Sequence, residues 1–193
     1  MRKIFIILFF LLSVPAIVSS QYIHKVHEYI PAPGQNINTV PWGVPSSKET
    51  IIGGLNGSMT LGGFGGYVVF SFENPVENHP DNPFGVDFTI FGNPSTDWSE
   101  PGIVSVMKDE NGNGQPDDTW YELAGSDYFF SNTKKNYQVT YTKPDHPDSS
   151  MVVFWSDNQG ASGIIEANSY HTQSYYPEAD SFPAINPKSY TLS

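Results

Sequence analysis

Eleven residues, KDENGNGQPDD from Lys108 to Asp118, hold four carboxylates, two Asn-Gly pairs and a proline directly after an alternating apolar run. Oxygen donors at that density suit calcium, which takes about six to eight oxygen ligands and is often held by alternate positions of one compact loop. Counting from Asp109, Asn111 is third, Asn113 fifth, Gly114 sixth, Gln115 seventh with its backbone carbonyl, and Asp117 ninth. This is the spacing of the first nine positions of an EF-hand-type loop. The twelfth position, where a bidentate acid is expected, is Trp120, so Asp118 at the tenth, or Glu122, must substitute. The expected ligand set for a structural Ca2+ is therefore Asp109, Asn111, Asn113, Gln115, Asp117 and Asp118. A metal-free turn competes with this reading, because Asn-Gly is the leading short hairpin signal. What favours the ion is the mutual repulsion of Asp109, Glu110, Asp117 and Asp118, which a bare turn does nothing to relieve.

Aromatic side chains are the second resource. Trp42, Trp98, Trp120 and Trp155, with Tyr170, Tyr175 and Tyr176, supply flat apolar faces beside Asn, Gln and Asp side chains. Such a mixture suits a glycan or another neutral polar ligand in a loop-built cleft. Trp120 and Trp155 lie in alternating apolar runs, which assigns them to a core face. Trp98, in PSTDWSEPG between two strands, is the expected ligand-binding residue, since binding groups concentrate on loops.

Other motifs carry less. The run GGLNGSMTLGGFGGYVVF has no G-x-G-x-x-G and no Gly-Lys-Ser/Thr, and leads into a strand, so its glycines mark bends rather than a phosphate cradle. His24 and His27 lack the H-E-x-x-H context of a zinc site, and His79, His146 and His171 stand alone among loop residues. With no cysteine nucleophile and no G-x-S-x-G elbow, catalysis is weakly supported. Asp97, Glu100 or Glu122 could form an acid pair for glycoside hydrolysis, but such pairs arise by chance among 20 acids. A non-catalytic chain is expected.

These residues must be positioned by strands. Val68, Phe70 and Phe72 share one parity, as do Val86, Phe88 and Ile90, Val104 and Val106, and Tyr137, Val139 and Tyr141; Ser58–Leu61, Thr119–Leu123 and Met151–Trp155 are further candidates. Period two bounded by Gly, Pro, Asn and Asp is the strand signature. No window of a dozen residues carries a helical stripe. The expected fold is all-β, a two-sheet antiparallel sandwich of jelly-roll or galactose-binding-like type.

Residues 1–20 read as a signal peptide: Arg2 and Lys3, an apolar run from Ile4 to Val18, then Ser19 and Ser20. Residues 21–50, with Pro31, Pro33, Pro41 and Pro45, read as an extended lead-in strand and loop, and 51–193 as the sandwich. Without cysteine there is no disulfide framework and no lipid acceptor, so the expectation is a secreted or cell-surface protein that is not a lipoprotein. Loss of Arg2 and Lys3 with the leader would make the net charge more negative than the −11 of the whole chain. An acidic surface disfavours phosphate backbones, which excludes nucleic acid as a partner, and favours cations and neutral ligands.

The segments EYIPAPGQNIN (28–38), GSMTLGGFGGYVVFSFENPVEN (57–78), GVDFTIFGNP (85–94), SEPGIVSVMKDENGNGQPDDTWYELAGSDY (99–128) and FWSDNQG (154–160) together resemble a group of secreted, Bacteroidetes-type cell-surface proteins of mostly unassigned function. Their core is in turn similar to galactose-binding-like, discoidin-type sandwiches. The resemblance implies a surface module that binds something, often within a longer protein, and the end at Tyr190–Ser193, in what reads as the start of a strand, fits a fragment. Two function classes follow. One is a calcium-stabilised module that binds glycan or another nutrient, such as a corrinoid, beside outer-membrane or cell-surface partner proteins. The other is a structural or adhesive β-domain with no small-molecule site. A glycoside hydrolase is a distant third.

Overall fold

The computed structural model describes residues 21–143, 145 and 152–193; the expected leader and His146 lie outside them. Among the described residues eight strands form: β1 (Ile23–Ile30), β2 (Tyr67–Phe72), β3 (Ser105–Met107), β4 (Trp120–Glu122), β5 (Val139–Thr142), β6 (Val152–Asp157), β7 (Ser162–Glu166) and β8 (Ser189–Leu192). Two short 3-10 helices, Pro45–Ile51 and Pro83–Gly85, are the only helical segments among the described residues. The fold is all-β and antiparallel. Strands β1 and β2 pair, β3 and β4 pair, and a four-stranded sheet runs in the order β7-β6-β5-β8. The strands are divided among one sheet of four and two of two.

The core lies on one face of the four-stranded sheet. Register places Val139 opposite Leu192 and Tyr141 opposite both Tyr190 and Trp155, so these side chains share a face. Val153 and Ile165, themselves opposite one another, lie on that face too. Tyr29 from β1, Ala32, and Tyr175, Tyr176, Phe182 and Ile185 from the segment before β8 close over it. The other face is wet and carries hydroxyl pairs: Thr140 with Thr191 at 2.8 Å and Thr142 with Ser189 at 3.3 Å.

Tyrosines dominate this core because each brings a large apolar ring and a polar tip that can be satisfied inside. Tyr29 donates to the Thr60 carbonyl at 2.6 Å, Tyr141 to Phe64 at 2.9 Å, Tyr176 to Asn186 at 2.6 Å and Tyr190 to Pro31 at 2.8 Å. All four acceptors are loop carbonyls, so the ring anchors in the core while the hydroxyl ties down a connection. No buried side-chain polar atom among the described residues lacks a partner.

Strand β1 does not alternate. Ile23, Val26 and Tyr29 recur every third residue because register shifts fall between Ile23 and Lys25 and between Val26 and Glu28. A bulge adds a residue and resets which parity faces inward. Leaving β1, the chain packs Pro31, Ala32 and Pro33 into the core, and Gly62 later passes against Ala32, where a φ of 77° and a clearance of 1.9 Å from its built Cβ position to the Ala32 carbonyl oxygen admit only glycine.

Between Ser47 and Val139 no described residue is buried. The β3–β4 hairpin and its flanks therefore stand outside the core. Val86 to Ile90, expected as a strand, forms none, and Val86 and Ile90 are about half exposed. Alternation there has no neighbouring strand to pair with. Ser58–Leu61 is likewise extended but unpaired as a strand, being held instead by Thr60 to Trp42 and Ala32 to Leu61 backbone bonds of 2.9 Å each.

Candidate functional site

The Lys108–Asp118 loop closes the β3–β4 hairpin, whose register sets Met107 opposite Trp120. Gly112 and Gly114 both take φ near +70°, the conformation that Asn-Gly pairs favour. Asp109 is the hub. Its Oδ1 accepts from the Gly112 amide at 2.7 Å and the Asn113 amide at 3.2 Å, and its Oδ2 from Gly114 at 2.8 Å. Asn111 Oδ1 accepts from Asn113 N at 3.0 Å, and Asn113 Oδ1 from Gln115 N at 2.7 Å.

The side-chain amides of Asn111 and Asn113 donate to the two oxygens of Asp117 at 3.2 and 2.9 Å, while Asp118 Oδ2 accepts from Glu110 N at 2.9 Å. Donation from Asn113 and then Asn111 holds the Asp117 carboxyl below the usual carboxylate range. The sequence-expected ligands are thus brought into one loop. Glu122 is not among them: it sits at the far end of β4, opposite Ser105. Among the described residues no three His, Cys, Asp or Glu side chains form a metal cage. An ion here would depend on Asn and backbone oxygens, as calcium loops do. The Gln115 carbonyl accepts no hydrogen bond among the described residues, which leaves the seventh-position oxygen unclaimed.

Trp98 is 77 % exposed at the end of a closed four-residue turn. Ser95 and Trp98 exchange backbone hydrogen bonds of 3.1 Å in both directions, and Asp97 sits at φ 70° between them. The backbone is fixed and the indole is bare.

The other aromatics divide. Tyr175 and Tyr176 are buried in the core, whereas Tyr170 stands in solvent. Trp155 packs partly buried against the core, but Trp120, assigned to a core face by its alternation, is 42 % exposed because no second layer covers its two-stranded hairpin. Phe129 and Phe130, exposed on the loop after β4, carried no sequence signal beyond their adjacency. Among the described residues no hydrogen bond or ion pair joins Asp97, Glu100 and Glu122 into a dyad.

The β6–β7 turn holds a further carboxylate. The Asp157 side chain is fully buried; its Oδ1 accepts from Gln159 N at 2.9 Å and Ala161 N at 2.7 Å, and its Oδ2 from the Tyr137 hydroxyl at 2.8 Å, with Lys134 Nζ 3.9 Å away. Burial alone would raise its pKa, but the hydrogen bonds from Tyr137, Ala161 and Gln159 with the Lys134 charge outweigh it and hold the group below the usual carboxylate range. Among the described residues no helix is long and apolar enough to cross a membrane. Comparison with protein-family models and with characterised proteins finds no match to this chain.

Proposed function

We propose that this chain is a non-catalytic binding module of a secreted or cell-surface protein of the Bacteroidetes type, stabilised by calcium in the Lys108–Asp118 loop and recognising glycan or a similar nutrient through Trp98. The observation that carries the reading is the bare indole of Trp98 on a backbone pinned by reciprocal hydrogen bonds. A flat aromatic on a rigid turn offers stacking area at little cost in ordering, which is what a sugar ring needs. The acidic surface suits a neutral ligand and a cation, and repels polyanions.

Glycan-array binding of the secreted chain, repeated with Trp98→Ala, tests it. The expected result is a ligand whose affinity falls at least about tenfold in the variant, the worth of one well-stacked ring. Unchanged binding in Trp98→Ala, or no array ligand at all, removes the reading.

A second reading has its own support. Phe84, Phe91, Ile103 and Phe129 are each more than two-thirds exposed, which is unusual for large apolar side chains and suits a structural or adhesive domain resting on neighbouring protein. On that reading the loop calcium stiffens the hairpin and no small ligand is involved.

A further inference from the structure

An open cleft of about 200 Å3 lies on the core face of the four-stranded sheet, between Trp155, Tyr141 and Ile165 on the sheet and Phe64 and Tyr137 beside it. Aromatic rings form most of its wall. Phe64 meets Tyr137 edge-on, with centroids 4.7 Å apart. The Trp155 indole lies flat against Gly163, where a Cβ would fall 2.8 Å from its Nε1, Cε2 and Cζ2 atoms, so glycine at this point sets where the ring lies.

The polar groups around the cleft are nearly all spent. The Tyr141 hydroxyl donates to the Phe64 carbonyl at 2.9 Å, and Tyr137 to Asp157 at 2.8 Å. Both Asp157 oxygens are occupied, by two backbone amides on one side and by Tyr137 on the other. Among the described residues no carboxylate of the cleft remains to receive a ligand hydroxyl. What remains on the wall is a donor: the Trp155 Nε1–H has no acceptor among the described residues. The Lys134 ammonium, 4.7 Å over the Tyr137 ring, is already shared with Asp157 Oδ2 at 3.9 Å.

A sugar presents a ring of hydroxyls, each with a proton to give, and sites that hold sugars supply acceptors for them. This cleft offers aromatic walls and an N–H that has no acceptor among the described residues. Its volume suits one ring, since an apolar cavity of about 150 Å3 accommodates benzene. We infer that the Trp155 cleft binds a single planar apolar ring carrying a carboxylate or carbonyl acceptor, an aromatic acid or its amide, in preference to a polyhydroxyl sugar. The site is built from the core sheet and shares no residue with the Trp98 turn or the calcium loop, so either proposal can fail without the other.

Nuclear magnetic resonance of the 15N-labelled secreted chain reads the site directly, because each of its 4 tryptophans gives one indole N–H signal. Trp155→Phe identifies the Trp155 signal by its loss. Benzoate and indole-3-acetate are expected to shift that signal saturably, with affinity in the millimolar range or tighter, while methyl galactoside leaves it in place. Phe64→Ala, a change in a partly exposed loop side chain, should weaken benzoate about tenfold, the loss of one aromatic contact. Absence of a saturable shift with either acid overturns the inference, as does a saturable shift with the methyl glycoside alone, or binding that spares the Trp155 signal. Should Phe64→Ala fail to fold, the wild-type comparison of acid against sugar still decides.

Discussion

In the Lys108–Asp118 loop, the side-chain amides of Asn111 and Asn113 donate to Asp117, and their oxygens are turned back onto backbone N–H groups. This arrangement answers the repulsion among the loop acids with hydrogen bonds, and a calcium ion would answer it with charge. The two are alternatives at the same atoms: to ligate, each Asn must turn its Oδ1 inward and give up its donation to Asp117. Calcium should therefore reorganise the loop as well as fill it. Calorimetric titration of the secreted chain is expected to show saturable binding, and a roughly hundredfold excess over Kd should raise Tm by roughly 5–10 °C. Both effects should vanish in Asp109→Ala combined with Asp117→Ala. If a folded sample gives no heat and no shift, the loop is a hydrogen-bonded turn and the calcium proposal is withdrawn.

Among the connecting elements, the lead-in segment depends on one asparagine. Asn38 takes φ 61°, donates to the carbonyls of Ser174 and Tyr176 at 2.8 Å each, and accepts from Glu178 N at 3.1 Å. It thereby clamps residues 31–43 to the strand-free stretch that covers the core. Asn38→Ala loses three hydrogen bonds and strains a left-handed backbone, so urea denaturation should show a loss of roughly 2–4 kcal/mol. Asn38→Gly, which relieves the backbone, should recover about 1 kcal/mol of that. Equal, negligible costs for both variants would mean the clamp is not formed in solution. Nothing in the sequence pointed to Asn38, because its partners lie more than a hundred residues away. The strands β2, β3 and β5 were legible because each alternates cleanly beside a partner; β1 was legible only as extended chain, its bulges having broken the parity. Strand β7 was hidden by Gly163, a residue that depresses strand signals and is there to admit the Trp155 ring. At the candidate site, the spacing of the loop oxygens and the exposure of Trp98 followed from local sequence. The Trp155 cleft did not, since it joins residues from 63 to 165 through sheet register.

For the molecule as a whole, a cysteine-free chain that builds its core from tyrosines has its stability tied to pH at the alkaline end. Burial pushes Tyr141 and Tyr176 up to about 12, and pushes Tyr29 and Tyr190 higher still. Each hydroxyl donates to a backbone carbonyl, a bond that the phenolate cannot make. A folded pKa above the unfolded value near 10 means that this stabilisation is complete below pH about 10 and is lost as the pH rises through about 12. The unfolded chain releases its protons first, so stability begins to fall near pH 10 and falls most steeply between about 10 and 12, while the folded chain still holds them. Tm measured across this interval should drop sharply, and phenolate absorbance from the core rings should appear together with the loss of the folded circular dichroism signal. Replacing Tyr141 and Tyr176 by phenylalanine removes two of the titrating groups, so the slope should flatten in that variant even if its starting Tm is lower. Core phenolates forming while the sheet persists would contradict the arrangement, because the rings would then be reached by solvent without unfolding.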